Sequence, residues 1–196
     1  YKVYEPFIRK AAGLGVASLE KDKERYEHKY EFCDLLVTGS GPAGLASAYS
    51  AAKNGAKVIL AEDKPRFGGT LLTDDVTIDN LSGKAWADKI ISELKEMPNV
   101  LVKNRSQVFG YYDHNMMVMF ERTGDHLEKK SKYTPRQRLW YIRAKEVLLS
   151  TGSIERPIVF GNNDTPGVFL SAAAKEYIKV YGVLIGKKPL IFTNND

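Results

Sequence analysis

The sequence predicts an α/β fold in which a mainly parallel sheet carries helices on its faces and contains an inserted antiparallel β-hairpin. Short, continuously apolar runs are typical of central parallel strands that are buried on both faces. One such run, residues 33–38, is followed directly by the glycine-rich turn Gly39-Ser40-Gly41-Pro42-Ala43-Gly44 and by a helix over Pro42–Lys53. This strand–turn–helix order is the setting of a phosphate-binding turn.

The three glycines of the turn have separate physical roles. Gly39 lets the chain turn tightly out of the strand, Gly41 lets the backbone approach a pyrophosphate, and Gly44 lets the helix pack closely on the sheet. Because the helix begins directly behind the turn, its unpaired N–H groups and positive dipole end face the phosphates. The turn therefore predicts a Rossmann-like FAD/NAD(P)-binding domain, and a tight turn without a ligand is the alternative.

A second strand, residues 57–62, ends in an acid about twenty residues past the glycines. A carboxylate at this position accepts hydrogen bonds from the hydroxyls of an adenosine ribose and repels a 2′-phosphate. Glu62 therefore favours NAD or FAD over NADP, although Lys64 and Arg66 weaken that exclusion. The pair Gly68-Gly69 follows, as in flavoproteins with two nucleotide-binding domains, where it lines the adenine nucleotide and its pyrophosphate.

Further elements are predicted along the rest of the chain. Four apolar residues recur at helical spacing before Pro98: Trp86, Ile90, Leu94 and Met97. Five segments are predicted as strands: Val100–Lys103, the hairpin 107–122 with a break at Asp113-His114-Asn115, 133–144, 147–149 and 190–192. We interpret the break as a turn rather than as an acid–base site, since Asp and Asn bond the local backbone. A helix is expected from an N-cap at Ser171 to Tyr181, closed by Gly182.

The strand at 147–149 runs into Ser150-Thr151-Gly152, where flavoproteins with two nucleotide domains usually have Ala-Thr-Gly and cross towards the second domain. We therefore divide the chain into an arm or linker (1–32), a dinucleotide-binding domain (33–160), and a crossover helix with the start of a second nucleotide-binding domain (161–196). Since the chain begins at Tyr1 and ends just after a predicted strand, we expect a fragment truncated at both ends.

Composition excludes several functional classes. The single cysteine, Cys33, excludes an internal disulfide and a cysteine metal cluster, and we expect it to be a buried core residue. No cysteine pair follows Gly68-Gly69, so dithiol chemistry is excluded. No apolar run approaches the ~20 residues of a membrane span and no signal peptide is visible, so we expect a cytoplasmic protein without a membrane partner. The net charge is +5, and the basic stretch 129–145 lacks a recognition motif, so no nucleic-acid partner is expected.

Longer strings carry a resemblance to a known family. They are Tyr4-Glu5-Pro6, 9–15, 25–28, 109–115, 136–140, 152–157, Asn162-Asn163-Asp164, Pro166-Gly167-Val168 and 192–196. Over essentially all its length, the chain resembles the amino-terminal half of the alpha subunits of heterotetrameric sarcosine oxidases. The resemblance implies partner beta, gamma and delta subunits, and oxidation of sarcosine to glycine by oxygen with transfer of the one-carbon unit to tetrahydrofolate. It implies NAD in this region, FMN at the alpha–beta interface, FAD and the amine-oxidising site in the beta subunit, and a folate-binding domain farther along the alpha chain.

The resemblance also assigns NAD contacts, carried over by position: Ala43, Glu62, Asp63, Lys64, Thr70 and Val108. Together with the motif residues, the candidate cofactor site is Gly39, Ser40, Gly41, Ala43, Gly44, Glu62, Asp63, Lys64, Gly69, Thr70, Val108, Thr151 and Gly152. No catalytic residue and no metal ligand is assigned. Ser40 departs from the small apolar residues common at its position.

Three hypotheses follow for the function. The first is a non-catalytic NAD-binding module of a sarcosine oxidase alpha subunit, and the second is a catalytic FAD-binding domain of an NADH-dependent flavin oxidoreductase. The third is a structural scaffold with a vestigial site. The glycine motif does not separate the first two, because both ligands share the adenosine diphosphate half that it recognises.

Overall fold

The computed structural model describes residues 3–13, 15 and 18–194, so Leu14, Asn195 and Asp196 of the strings quoted above lie outside the described residues. The described helices are α1 (Glu5–Ala11), α2 (Pro42–Lys53), α3 (Gly83–Glu96) and α4 (Ser171–Lys179). The described strands are β1 (Tyr26–Thr38), β2 (Val58–Ala61), β3 (Thr77–Ile78), β4 (Leu81–Ser82), β5 (Val100–Lys103), β6 (Ser106–Tyr112), β7 (Met116–Arg122) and β8 (Gln137–Leu149).

Six of the strands form one sheet in the order β5-β2-β1-β8-β7-β6, and β3 and β4 form a separate antiparallel pair. The strands β5, β2, β1 and β8 run parallel to one another, whereas β7 and β6 are added antiparallel. The predicted fold class, a mainly parallel sheet with helices and an antiparallel hairpin, is confirmed. The turn between β6 and β7 is Asp113–Asn115, as predicted, with His114 in the left-handed region at φ +59°.

The first apolar cluster lies between β1, β2 and the helices α2 and α3. Its buried side chains include Val37, Leu45, Leu60, Trp86 and Leu94. The predicted helical spacing is confirmed, because α3 buries the residues that recur three and four positions apart. This helix starts where the Ser82 hydroxyl accepts a hydrogen bond from the Ala85 N–H, and it ends just before Pro98. The cluster therefore fixes both helices on one face of the parallel strands.

The second apolar cluster lies between the parallel strands and the antiparallel half of the sheet. It joins Leu36 and Ile59 of the parallel strands to Met119 of β7 and Trp140 of β8. Cys33 and Leu36, three positions apart in β1, both pack into this cluster. Between them the N–H groups of Asp34 and Leu35 both donate to the Lys57 carbonyl oxygen, at 2.8 and 3.2 Å. Two N–H groups that share one carbonyl oxygen mark a local bulge in the pairing of β1 with the segment before β2, and Cys33 and Leu36 face the same cluster on either side of it.

Several strand predictions are corrected by the sheet. The segments predicted separately at 133–144 and 147–149 belong to one strand, β8, which begins at Gln137 rather than at Tyr133 and whose pairing with β1 continues across the gap. The strand predicted from residue 33 starts at Tyr26, which pairs with Gln137, and the predicted arm also contains α1. Residues 190–192 form no strand, since the described residues offer them no pairing partner. The division into 1–32, 33–160 and 161–196 stays a prediction.

The start of α4 also differs from its prediction. Leu170 is the N-cap and Ser171 is the first helical residue, so Ser171 does not cap the helix. The carboxylate of Glu155 accepts hydrogen bonds from the Ala172 N–H and the Ser171 hydroxyl, both at 2.8 Å. A carboxylate from a preceding loop therefore supplies the cap that the sequence analysis assigned to Ser171, and it favours the positive end of the helix dipole. The helix ends at Lys179, two residues before the predicted end.

Cys33 is buried in the second apolar cluster, as expected, with 5% of its surface exposed. Burial raises the pKa of its thiol to about 12, so the reactive thiolate is scarce at pH 8. We expect a thiol-specific reagent to leave the native protein unmodified at pH 8 over an hour and to react fully once denaturant is added. Stoichiometric reaction of the native protein within minutes would contradict the placement of Cys33 in the core.

Candidate functional site

The candidate site lies where the parallel strands end. In a parallel sheet the carboxyl ends of adjacent strands meet at one edge, and ligands of such folds bind in the crevice outside that edge. The glycine turn follows β1, Glu62 follows β2, and Ser150 follows β8. The fold therefore brings to one edge three segments that are far apart in the chain.

Two glycines of the turn are required by the packing of the protein itself. Gly39 has φ +98°, and a Cβ atom there would lie 2.3 Å from the Ser150 carbonyl oxygen. A Cβ atom on Gly44 would lie 2.0 Å from the Gly39 carbonyl oxygen and 2.7 Å from Ser150 Oγ. The roles predicted for these two residues, a tight turn and close packing of the helix, match these contacts. Neither contact depends on a ligand.

Gly41 is different, because nothing in the protein requires a glycine there. Its φ of −67° is open to any residue, and a Cβ atom on it would have no atom within 4 Å. Gly41 is the N-cap of α2, and no side chain caps this helix. The first N–H groups of a helix lack partners within it, and Pro42 at the next position has no N–H. The open space beside the first N–H groups of α2 fits an anion such as a pyrophosphate.

Glu62 is buried beside the turn, with 7% of its surface exposed. Its Oε2 accepts hydrogen bonds from the Ser40 N–H at 2.9 Å and from the Ser40 hydroxyl at 2.5 Å. Its Oε1 accepts from the Lys64 N–H at 3.0 Å. Burial raises the pKa of the Glu62 carboxyl, a hydrogen bond with Asp63 raises it further, and the bonds from Ser40 and Lys64 oppose these effects.

The second glycine pair contacts the first turn directly. Gly68 and Gly69 have φ of +121° and +54°, and a Cβ atom on Gly69 would lie 2.9 Å from the Gly41 Cα. The Gly68 N–H donates to both the carbonyl oxygen and the hydroxyl of Ser40, at 3.1 and 3.2 Å. A side chain at position 69 would therefore displace the backbone of Gly41.

The other predicted site residues surround this centre. Ala43 is exposed in the first turn of α2, Asp63 and Lys64 are exposed after Glu62, and Thr70 is exposed in the short 3₁₀ turn Gly69–Leu72. Thr151 and Gly152 are both exposed, and the Cα of Thr151 is 3.3 Å from a Cβ atom built on Gly39.

Val108 packs its side chain against the second apolar cluster, so its backbone is the part left for a ligand. It lies two residues after Ser106, whose N–H donates to the Glu62 carbonyl oxygen at 2.8 Å. The structure thus joins seven predicted site residues by a series of pairwise contacts: Gly39, Ser40, Gly41, Gly44, Glu62, Gly69 and Thr151. The remaining predicted contacts lie at the edge of this group.

Two serines have roles that the sequence analysis missed. Ser40 connects the turn to both Glu62 and Gly68, although it was treated as a minor departure from the motif. Ser150 donates from its hydroxyl to the carbonyl oxygens of Thr38 and Gly39, at 2.8 and 2.9 Å. In both cases the sequence signal for such a role was a serine at a position where the motif usually has a small apolar residue.

Helix α4 lies against the loop that follows Glu62. Three ion pairs join the two segments: Lys64 Nζ to Glu176 at 3.1 Å, Lys175 Nζ to Asp74 at 2.9 Å and Lys179 Nζ to Asp75 at 2.8 Å. Arg66 donates to the Val180 carbonyl oxygen at 3.0 Å. Each ion pair is exposed and so contributes little by itself. These contacts nevertheless hold the side chains of Lys64 and Arg66 against α4 and the residue after it. Lys64 and Arg66 are the two cations that weaken the exclusion of a 2′-phosphate.

The described residues contain no group of three or more His, Cys, Asp or Glu side chains that could hold a metal ion. Within the same part of the chain, no helix is both long and apolar enough to span a bilayer.

Comparison with known proteins supports a flavoprotein-type fold. A family model described as FAD dependent oxidoreductase matches residues 34–122. The crystal structure of L-proline dehydrogenase from P. horikoshii aligns with a TM-score of 0.66 and 24% identity, covering 88% of this chain and 32% of that chain. At this identity the structural likeness shows the fold alone.

Two sequence relatives test the predicted resemblance to sarcosine oxidase alpha subunits. Sarcosine oxidase subunit alpha of Rhizobium meliloti (strain 1021) is 48% identical over 195 residues, which is 100% of this chain and 20% of that protein. Its counterpart from Corynebacterium sp. (strain U-96) is 40% identical over 187 residues, covering 94% of this chain and 19% of that protein. The predicted resemblance to sarcosine oxidase alpha subunits is confirmed. The chain spans about a fifth of the length of these two alpha subunits.

Proposed function

We propose that this chain is the NAD-binding part of the alpha subunit of a heterotetrameric sarcosine oxidase. The observation that carries the proposal is the open space at Gly41, which lies between the uncapped amino end of α2 and the buried carboxylate of Glu62. The similarity to two alpha subunits over nearly the whole chain supports the choice of family.

The site accounts for the adenosine diphosphate half of the ligand. The pyrophosphate binds at the amino end of α2, where the backbone of Gly41 leaves room for it. An ionised carboxylate has about four acceptor positions, and Ser40 and Lys64 occupy three of those on Glu62. The acceptor position left on Oε1 takes a ribose hydroxyl. The exposed side chains of Asp63, Lys64 and Thr70 then lie around the bound nucleotide.

The chain binds its ligand without performing the reaction. No residue of the site is assigned to proton transfer or nucleophilic attack, and the hydroxyls of Ser40 and Ser150 are engaged in holding the turn. Oxidation of sarcosine with oxygen, with FAD in the beta subunit and FMN at the alpha–beta interface, belongs to the complete cytoplasmic complex of alpha, beta, gamma and delta subunits. Tetrahydrofolate binding belongs to a later part of the alpha subunit.

FAD is the second candidate occupant, and the FAD dependent oxidoreductase model over residues 34–122 favours it. In that case the chain is the FAD-binding domain of an NADH-dependent oxidoreductase. Calorimetric titration of the chain with NAD, FAD and ADP-ribose separates the candidates. NAD binding at least tenfold tighter than FAD is the expected result. A yellow protein that releases FAD on denaturation would overturn the choice of NAD, and no binding of any of the three would leave only a structural role.

Gly41→Ala tests the position of the pyrophosphate. Since a Cβ atom here meets nothing within 4 Å and the backbone is open to alanine, we expect the thermal midpoint to stay within 2 °C or so of the wild type. The added methyl group enters the space of the pyrophosphate, so NAD affinity falls about tenfold or more. Thermal unfolding and titration on the same sample measure both effects. Unchanged affinity would mean that the phosphates do not approach Gly41.

A further inference from the structure

We propose that Ser40 is the positioning residue of the nucleotide site, whose hydroxyl holds the Glu62 carboxylate as an acceptor and joins the Gly68-Gly69 loop to the first glycine turn. The inference rests on the proposed function, since it assumes a dinucleotide in this crevice. It goes beyond the motif, because the motif requires no hydroxyl at this position.

The geometry gives the Ser40 hydroxyl a single arrangement. A hydroxyl group has one proton to donate and two lone pairs. The Ser40 hydroxyl donates this proton to Glu62 Oε2 at 2.5 Å, while the Gly68 N–H at 3.2 Å occupies a lone pair of the hydroxyl oxygen. The side chain is fully buried, at 0% exposure, so water does not compete for either contact. One side chain thereby connects the ends of β1 and β2 with the second glycine pair.

The hydroxyl also favours the ionised form of the carboxylate that meets the ribose. A carboxylate as buried as that of Glu62 favours its protonated form unless donors stabilise the negative charge. The Ser40 hydroxyl is such a donor, and its hydrogen bond lowers the pKa of Glu62 against the effect of burial. The other charged groups around Glu62 are Asp63, Lys64 with its partner Glu176, Arg122, which donates to the Asp63 carbonyl oxygen, and Lys103 with its partner Glu121.

Ser40→Ala removes the hydroxyl and leaves the other contacts in place. The pKa of Glu62 then rises, so the carboxylate becomes protonated at a higher pH and loses its acceptor lone pair for the ribose. We expect NAD and ADP-ribose affinity to fall about tenfold at pH 6 and distinctly less at pH 8. The midpoint of the affinity–pH profile shifts to higher pH. Titration of both ligands between pH 5.5 and 8.5 measures the shift.

Two variants control the experiment. Ser106→Ala removes another buried hydroxyl, with 1% exposure, which donates to the Asn104 carbonyl oxygen at 2.8 Å and not to Glu62. It keeps the wild-type pH profile. Glu62→Gln cannot titrate, so its affinity is low and independent of pH over this range. If Ser40→Ala does not fold, Ser40→Gly replaces it, because glycine accepts any backbone conformation and also lacks the hydroxyl.

The outcomes separate the inference from the proposed function. If wild-type protein binds NAD or FAD and the folded Ser40 variant binds with an unshifted profile, the inference is overturned and the proposed function stands. A loss of affinity that is equal at every pH would show a merely structural role for Ser40 and would also overturn it. Wild-type protein that binds neither dinucleotide nor ADP-ribose would overturn the proposed function itself.

Discussion

Gly44→Ala is expected to lower the free energy of unfolding by about 3 kcal/mol and to abolish dinucleotide binding. The new methyl group would lie 2.0 Å from the Gly39 carbonyl oxygen, and something must shift to remove that overlap. Gly39 cannot move freely, since its carbonyl oxygen accepts a hydrogen bond from Ser150 Oγ at 2.9 Å. The shift therefore opens the contact between α2 and the turn.

Denaturant unfolding measures this loss, and Gly41→Ala is the matched control. Both variants add one methyl group to the same turn, but only the group on Gly44 meets protein atoms. Alanine is also the better helix former, by about 1 kcal/mol relative to glycine, so intrinsic propensity works against the expected result. A Gly44→Ala protein as stable as the wild type would mean that α2 packs less closely on the turn than described.

Glu121→Gln is expected to lower the free energy of unfolding by about 3 kcal/mol, because it leaves Lys103 without its counter-ion and leaves Arg138 with Glu27 alone. Glu121 is buried, and its carboxylate accepts from Trp140 Nε1 at 2.7 Å, Arg138 Nη1 at 3.1 Å and Lys103 Nζ at 3.1 Å. Glutamine has nearly the same shape but no charge. Denaturant unfolding measures the loss, and in a Trp86→Phe background the fluorescence of Trp140 also reports the local environment of its indole.

The same group makes stability depend on pH. Burial would raise the pKa of Glu121, but the nearby charge of Lys103 and the hydrogen bonds from Trp140, Lys103 and Arg138 outweigh it, so the pKa lies below the usual 4.5. A carboxyl with a lowered folded-state pKa stabilises the fold above about pH 4.5, and this stabilisation is lost as the pH falls through the lower value. The Glu121→Gln variant lacks this pH-dependent contribution to the free energy of unfolding.

Asp75→Asn is the control for Glu121→Gln. It also removes a carboxylate from an ion pair, with Lys179, but its side chain is 88% exposed. Solvent already screens that pair, so no measurable change in the unfolding midpoint is expected. Equal midpoints for Glu121→Gln and the wild type would show that Lys103 finds another partner or reaches solvent, and that Glu27 is a sufficient partner for Arg138.

Local patterns predicted the part of the site that is continuous in the chain. The strand before Gly39, the helix over Pro42–Lys53 and the acid at the end of β2 all lie within one βαβ unit, and the structure places each as expected. Their signals are the spacing of apolar side chains and the backbone demands of glycine, which act over a few residues. The hairpin between β6 and β7 was predictable for the same reason.

The contacts between distant segments could not be predicted in this way. The joining of 133–144 and 147–149 into β8 and the extension of β1 back to Tyr26 both arise from pairing between strands more than a hundred residues apart. Likewise, nothing local shows that Glu121 meets Lys103 and Trp140, since the three residues lie on different strands. Strand register decides these contacts.

The fold class, the resemblance to sarcosine oxidase alpha subunits and the phosphate-binding turn follow from the amino-acid sequence, because residue spacing and residue type carry that information. The folded protein adds the distinction between the glycines that its own packing requires and the one that leaves open space. It also decided that Ser40 holds Glu62, although the two are 22 residues apart. The physical reason is that both distinctions depend on distances between β1, β2 and β8, which are set when the strands pair and the chain packs.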